Sequence, residues 1–279
     1  MKKIYTLLLL FPLLTFAQDD LLAGMDSVPK NQKVESAFKG LKIVNLESTK
    51  LAGKKDLYFI VAHRFGSVKD DFEGFFGLDN AVTQIKFLYG INDWLTLGAA
   101  RSEQAYDVSA KYRLQSQIEN GFPLTIVAFN SLAFNNTLKE SNLPRMTFED
   151  RMTYVAQVLI SRKFNESFSL EFAPTFFHEN FVPVDTQDNS QFAMGFGGRF
   201  KLSKRVAITA DYAVHLNRSN DSPYKDPISL GVDIDTGGHV FQLHFTSSQG
   251  IHEAGYLAQT TGDWSKGDVY FGFNLSRVF

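Results

Sequence analysis

The sequence predicts an all-β fold, a single antiparallel transmembrane β-barrel of about twelve strands, with ten or fourteen as the near alternatives. Three observations predict it. Apolar and polar residues alternate with period two in segments of about nine to twelve residues, where soluble strands run about five or six. Short and longer connections alternate along the chain, which is the pattern of turns on one side of a membrane and loops on the other. The chain also ends on a strand rich in aromatic residues.

Composition narrows the function classes. The 279 residues carry 28 basic and 30 acidic side chains and no cysteine. Disulfide scaffolds, thiolate metal sites and cysteine nucleophiles are therefore excluded. The near-neutral charge gives no electrostatic footprint for nucleic acid. Phenylalanine dominates the aromatic set, with 27 Phe against 10 Tyr and 2 Trp.

The elements follow in order. Residues 1–17 read as a secretory signal peptide: Lys2 and Lys3 precede an apolar run from Ile4 to Leu14, and Thr15-Phe16-Ala17 supplies a small-residue ending. Cleavage is expected near Ala17, which implies a bacterial envelope. After it no apolar run is long enough for a spanning helix. Residues 18–56 are polar and mixed, a periplasmic N-terminal segment suited to plugging a lumen, with a short strand at Lys42–Asn45.

Residues 57–279 form the barrel. The clearest strand is Ser167–Phe177, where Phe168, Leu170, Phe172 and Phe176 oppose Ser169, Glu171, Ala173 and Thr175. Gln191–Lys201, Arg205–Leu216 and Ile228–Asp235 repeat the pattern. The series is completed by Leu57–Phe65, Ala81–Tyr89, Trp94–Arg101, Tyr106–Gln117, Leu124–Asn135, Arg151–Arg162, His239–Ser247 and Asp268–Phe279. A soluble sandwich would share the period. The polar partners here, Gly, Ser, Asp and Lys, suit a wet lumen better than a second solvent surface. Aromatics near strand ends (Tyr89, Trp94, Tyr106, Phe164, Phe200, Tyr270) match the girdles of outer-membrane barrels. Phe271, Phe273, Leu275 and Phe279 share a face of the last strand, an assembly signal for barrel-insertion machinery.

The alternation also names a lumen. Lys86, Lys111, Arg113, Arg199 and Lys201 face inward, against Asp107, Glu171, Asp211, Asp233 and Asp235. A selective open pore shows charges of one sign. This balanced set predicts pairing across the lumen and a narrow or occluded passage. Gly195-Phe196-Gly197-Gly198 lies inside a strand with no helix after it, so it is no phosphate loop; its glycines make room for large neighbours.

Several short blocks resemble a family of bacterial outer-membrane β-barrels known only as a domain of unknown function. They are His63-Arg64-Phe65-Gly66, Phe75-Phe76-Gly77-Leu78-Asp79, Arg101-Ser102, Thr236-Gly237-Gly238-His239-Val240-Phe241-Gln242-Leu243 and the terminal Gly272 to Phe279. The motif residues are thus His63, Arg64, Gly66, Asp79, Arg101, Gly237, Gly238 and His239. The resemblance spans roughly residues 36–279 and implies architecture; it brings no established substrate, cofactor or catalytic residues.

No histidine pair has metal-ligand spacing, so neither metal nor cofactor is expected. The expected function is a narrow or gated small-solute channel, porin-like, or an accessory barrel of an envelope complex. The alternative is an enzyme acting on lipid or lipopolysaccharide at the outer rim, which would need Ser247 or Ser248 to converge with His252. Expected partners are outer-membrane lipid and lipopolysaccharide, the barrel-assembly machinery, and an envelope protein that the sequence does not name.

Overall fold

The computed structural model describes residues 32–70, 78, 80–138 and 145–279. The expected signal segment 1–17, its expected cleavage site and Asp79 lie outside the described residues. Twelve strands close into one barrel: β1 (Leu57–Ser67), β2 (Val82–Asn92), β3 (Leu95–Ser102), β4 (Ala105–Gln115), β5 (Thr125–Asn135), β6 (Met152–Lys163), β7 (Phe168–Glu179), β8 (Ser190–Lys201), β9 (Val206–His215), β10 (Ile228–Asp235), β11 (His239–Thr246) and β12 (Tyr270–Val278). Each strand pairs antiparallel with its sequence neighbours, and β1 closes on β12 from Tyr58↔Val278 to Ser67↔Tyr270. Closure leaves no strand edge, which a lipid environment demands of any sheet.

Alternation sorts the side chains between two solvents. Phe87, Val108, Phe196, Leu230 and Phe245 point outward and are exposed, whereas Lys86, Lys111, Gln157, Glu171, Thr209 and Gln242 are buried. This is the inverse of a soluble core and fits a lipid exterior around a polar interior. Tyr89, Trp94, Tyr106, Phe164 and Phe200 are exposed as a girdle requires. Tyr270 is not: it is 8% exposed, its hydroxyl lies 2.9 Å from Thr261 Oγ1, and it shares the inward parity of Gly272 and Asn274. Phe271, Phe273, Leu275 and Phe279 hold the opposite, outward parity.

Two ends are distinguishable. The near mouth carries the connections 93–94, 116–124, 164–167, 202–205 and 236–238; the far mouth carries the longer ones, apart from the two-residue link 103–104. From the near mouth, residues 37–52 enter the barrel and are mostly buried. Ile43 N donates to Leu46 O at 2.8 Å and Ser48 N to Leu41 O at 3.0 Å, so residues 41–48 form a tight hairpin. The strand expected at Lys42–Asn45 is replaced by a single bridge, Lys42↔Glu47. Its amides turn to side chains of the barrel wall instead of a neighbouring strand.

The connection between β11 and β12 also folds inward. It holds one helix, α1 (Glu253–Ala258), all six residues of which are buried. A helix this short is marginal alone, and it forms here by packing against β6 and β9. Arg218 caps its end, donating to the carbonyls of Ala258 and Leu257. Ile43, Leu46, Tyr256, Leu257, Val155 and Phe177 join in one apolar cluster inside the barrel.

Glycines open the space that the hairpin takes. A Cβ on Gly197 would lie 2.2 Å from Ile43 Cδ1, and one on Gly195 would lie 2.8 Å from Leu46 Cδ2. Where the segment leaves the lumen, a Cβ on Gly90 would lie 1.9 Å from the Gly53 carbonyl oxygen, a backbone atom with no side-chain freedom to yield. Gly198 faces outward, where a Cβ meets only Leu170 Cδ2 at 3.4 Å among side-chain atoms. Gly197→Val is therefore expected to lower the thermal midpoint, overpacking at about 1–3 kcal/mol, and Gly90→Ala to lower it further. Gly198→Ala should leave it unchanged. Thermal denaturation of the detergent-extracted protein checks all three.

Candidate functional site

Many of the interior polar residues converge on the hairpin. Glu47 lies at its centre, with Lys86 Nζ 3.0 Å from Oε1, Lys111 Nζ 2.8 Å from Oε2 and Lys42 Nζ 3.4 Å from Oε1. Lys111 Nζ also donates to the carbonyls of Leu41 and Ser48. Burial acts to raise the Glu47 pKa, but Lys111, Lys86 and Lys42 act the other way and hold it well below the usual glutamate range.

The opposite wall is acidic and receives amides. Asp211 Oδ2 accepts from the backbone N–H of Val44, Asn45 and Leu46 at 2.7–3.0 Å, a nest of three donors around one oxygen. Glu171 Oε2 accepts from Thr49 N at 2.9 Å. The Asn45 side chain binds Ser229 and Thr246 through Nδ2 and accepts from Arg64 through Oδ1. Arg64 is fully buried and also donates to Asn274 Oδ1 at 3.0 Å. Gln242 Nε2 donates to the carbonyls of Lys42 and Ile43 and to Asp233. From the far side, Glu253 of α1 meets Lys42 at 3.0 Å, so the hairpin and the helix touch through an ion pair.

Little space remains beside this network. The cavity bounded by Lys42, Glu47, Lys86, Gln84, Gln242 and Asn274 holds about 20 Å³, room for a single water.

The sequence-derived residues are placed as follows. Lys86, Lys111 and Asp211 contact the hairpin directly, and Glu171 binds Thr49, the residue that follows the hairpin. Asp107 accepts from Gln84 Nε2, and Asp233 from Gln242 and Thr209. Arg113, Arg199, Lys201 and Asp235 are half-buried near the near mouth, with Asp235 3.9 Å from Lys39. The expected pairing of wall charges across the lumen is not what the structure shows. Among the described residues the ion pairs of Lys86 and Lys111 go to Glu47, because the hairpin stands between the two walls.

The motif residues separate. His63 faces outward against Phe273 while Arg64, the next residue, points into the lumen. Gly66 sits at the bulge where the β1–β12 register shifts. Arg101 is exposed and bonds Tyr106. Of the two turn glycines only Gly237 takes positive φ, at 94°; Gly238 does not need it, and His239 begins β11 half-buried. The serines stay apart from His252 as hydrogen-bond partners: Ser247 Oγ engages Ile228, and Ser248 Oγ donates to Gly250 O.

A family described as a membrane bound beta barrel domain (DUF5777) matches residues 38–279. The chain belongs to this family. The matched stretch takes in the hairpin together with all twelve strands of this membrane-bound barrel. No curated protein matches the chain. Among solved structures, the KdgM porin is 6% identical with a TM-score of 0.49, over 80% of this chain and 99% of that one. The NanC porin is 9% identical with a TM-score of 0.48, over 80% and 98%. An outer membrane channel from Pseudomonas putida F1 is 12% identical with a TM-score of 0.48, over 82% and 97%.

Reading from sequence missed Asn45, Glu47, Asn274 and Glu253 as parts of this network, and named Arg64 only as a motif residue. Replacing Glu47 with Gln leaves three ammonium groups without their shared carboxylate and should destabilise the seated hairpin by about 3–5 kcal/mol. The pH dependence has a definite sign. A depressed carboxyl contributes stability that is full above its unfolded value and lost as pH falls toward its folded one. The gap in thermal midpoint between wild type and Glu47→Gln should therefore hold from about pH 7 to about pH 5 and shrink below about pH 4.

Proposed function

We propose that the protein is an outer-membrane channel for small polar solutes whose lumen is held shut by its own hairpin. The observation that carries this is the nature of the seal. Residues 41–49 are fixed to the wall largely by hydrogen bonds and ion pairs with Asp211, Glu171, Lys86, Lys111, Gln242 and Asn274. Polar contacts can be exchanged for water as the segment withdraws, where a wholly apolar seal would expose its surface. Strand by strand, the wall behind the hairpin is hydrophilic enough to line an aqueous path: Gln84, Thr96, Ser131, Gln157, Ser161 and Thr209 all face inward.

The outer-membrane assignment rests on the secretory pattern of residues 1–17, the aromatic last strand and the lipid-facing exterior. Processing after Ala17 is expected to leave Gln18 at the N-terminus, which intact mass of the membrane-extracted protein checks. The lipid-active enzyme reading gains nothing from the geometry at Ser247, Ser248 and His252.

Planar-bilayer recording tests the channel. The intact protein should be silent or show rare brief openings, and Glu47→Gln, or removal of residues 38–52, should give regular current steps. Silence from all three would remove the channel and leave an accessory barrel of an envelope complex.

A further inference from the structure

Glu47 rests on a site that the barrel wall builds by itself. Lys86 on β2 and Lys111 on β4 each address a different oxygen of the carboxylate, at 3.0 and 2.8 Å. Both lysines are almost fully buried, 4% and 3% exposed, and both belong to strands that remain when the hairpin moves. The third ammonium, Lys42, travels with the hairpin. Phe129 sits below the pair, its ring centroid 5.8 Å from Lys86 Nζ and 6.0 Å from Lys111 Nζ, so the site has an aromatic floor. The cavity of about 20 Å³ borders the same carboxylate.

We propose that Lys86 and Lys111 form a carboxylate-binding site of the open lumen, that Glu47 fills it in the closed state, and that the solutes handled are small carboxylate anions. This rests on the channel reading above. The electrostatic argument is direct. Withdrawal of the hairpin removes the counter-charge of two ammonium groups held at the wall. Uncompensated charge in a narrow lumen is unfavourable, so an entering carboxylate restores what the hairpin took away. Such an anion favours the open form by as much as it prefers that form over the closed one. The remaining charges localise the anion. Asp211 and Glu171 line the opposite wall and repel it, while Asp107, on the same wall as the lysines, is engaged by Gln84.

The test has two arms, one of which needs no current. In the first, Glu47→Ala is melted in acetate and in chloride of equal concentration. Acetate is expected to shift the midpoint upward and chloride is not. The wild type, whose site is already filled, should show no acetate-specific shift. The shift should be lost when Lys86→Met and Lys111→Met are added. In the second arm, Glu47→Gln is recorded in a planar bilayer under a potassium chloride gradient. The reversal potential should favour anions, and gluconate should reduce the current saturably. Both properties should be lost on adding Lys86→Met and Lys111→Met.

Equal responses to acetate and chloride, or a shift that survives loss of both lysines, would overturn the site. Currents whose selectivity ignores the lysines would overturn it equally. A silent bilayer beside an acetate-specific, lysine-dependent shift would remove the channel reading and leave the carboxylate site standing. Should Glu47→Ala fail to fold, the bilayer arm on Glu47→Gln decides alone, with absence of lysine-dependent anion selectivity counting against the site.

Discussion

A barrel of twelve strands that carries lysines and carboxylates on its inner face must either flood its lumen or neutralise those charges internally. This chain does the second, with a segment that belongs to no strand. Glu47 brings a negative charge to Lys86 and Lys111, and the amides of Val44, Asn45 and Leu46 bring donors to Asp211. The segment is therefore complementary to two walls of opposite sign at once. Remove it and the interior holds two unsatisfied surfaces; keep it and almost every inward charge near the centre has a partner. The glycines at 195 and 197 and the alanines at 193 and 213 are the steric counterpart, since they leave the width that Ile43 and Leu46 take up.

The strands were legible in the sequence because each separates two solvents. Phe168, Leu170 and Phe172 face lipid while Ser169, Glu171 and Ala173 face the interior, and period two writes that difference along the chain. All twelve elements were readable for this reason, to within a few residues at each end. Parity also told which charges face inward. The girdle reading failed at Tyr270 because it weighed aromatic character near a strand end above position on the strand; the inward parity shared with Gly272 and Asn274 was the stronger signal.

The hairpin and α1 left no such trace. Neither has a repeating pattern, because neither meets the same environment at regular intervals. Asn45 alone touches Arg64, Asp211, Ser229 and Thr246, contacts drawn from strands β1, β9, β10 and β11. Its partners 166 to 201 residues away cannot be read from local spacing. Helix α1 is likewise a product of its surroundings: six residues made helical by burial between β6, β9 and the hairpin. Arg64 stands beside His63 in the sequence and on the other face of the sheet in the barrel, where its partners come from distant strands and from the hairpin.

The seam between the two ends of the chain has a consequence for assembly. Leu57 and Phe279 exchange backbone hydrogen bonds, at 2.9 and 3.2 Å, so the last residue of the chain seals directly against the strand into which the hairpin runs. Both ends of the hairpin segment sit at one mouth, where Val34 bonds Gln117 and Lys55 bonds Gly90. A ring of twelve paired strands has no lateral door. The segment is thus either captured as the last strand zips onto the first, or threaded afterwards through the mouth that already anchors it. In either history it is a tethered cork, whose string is the first strand itself.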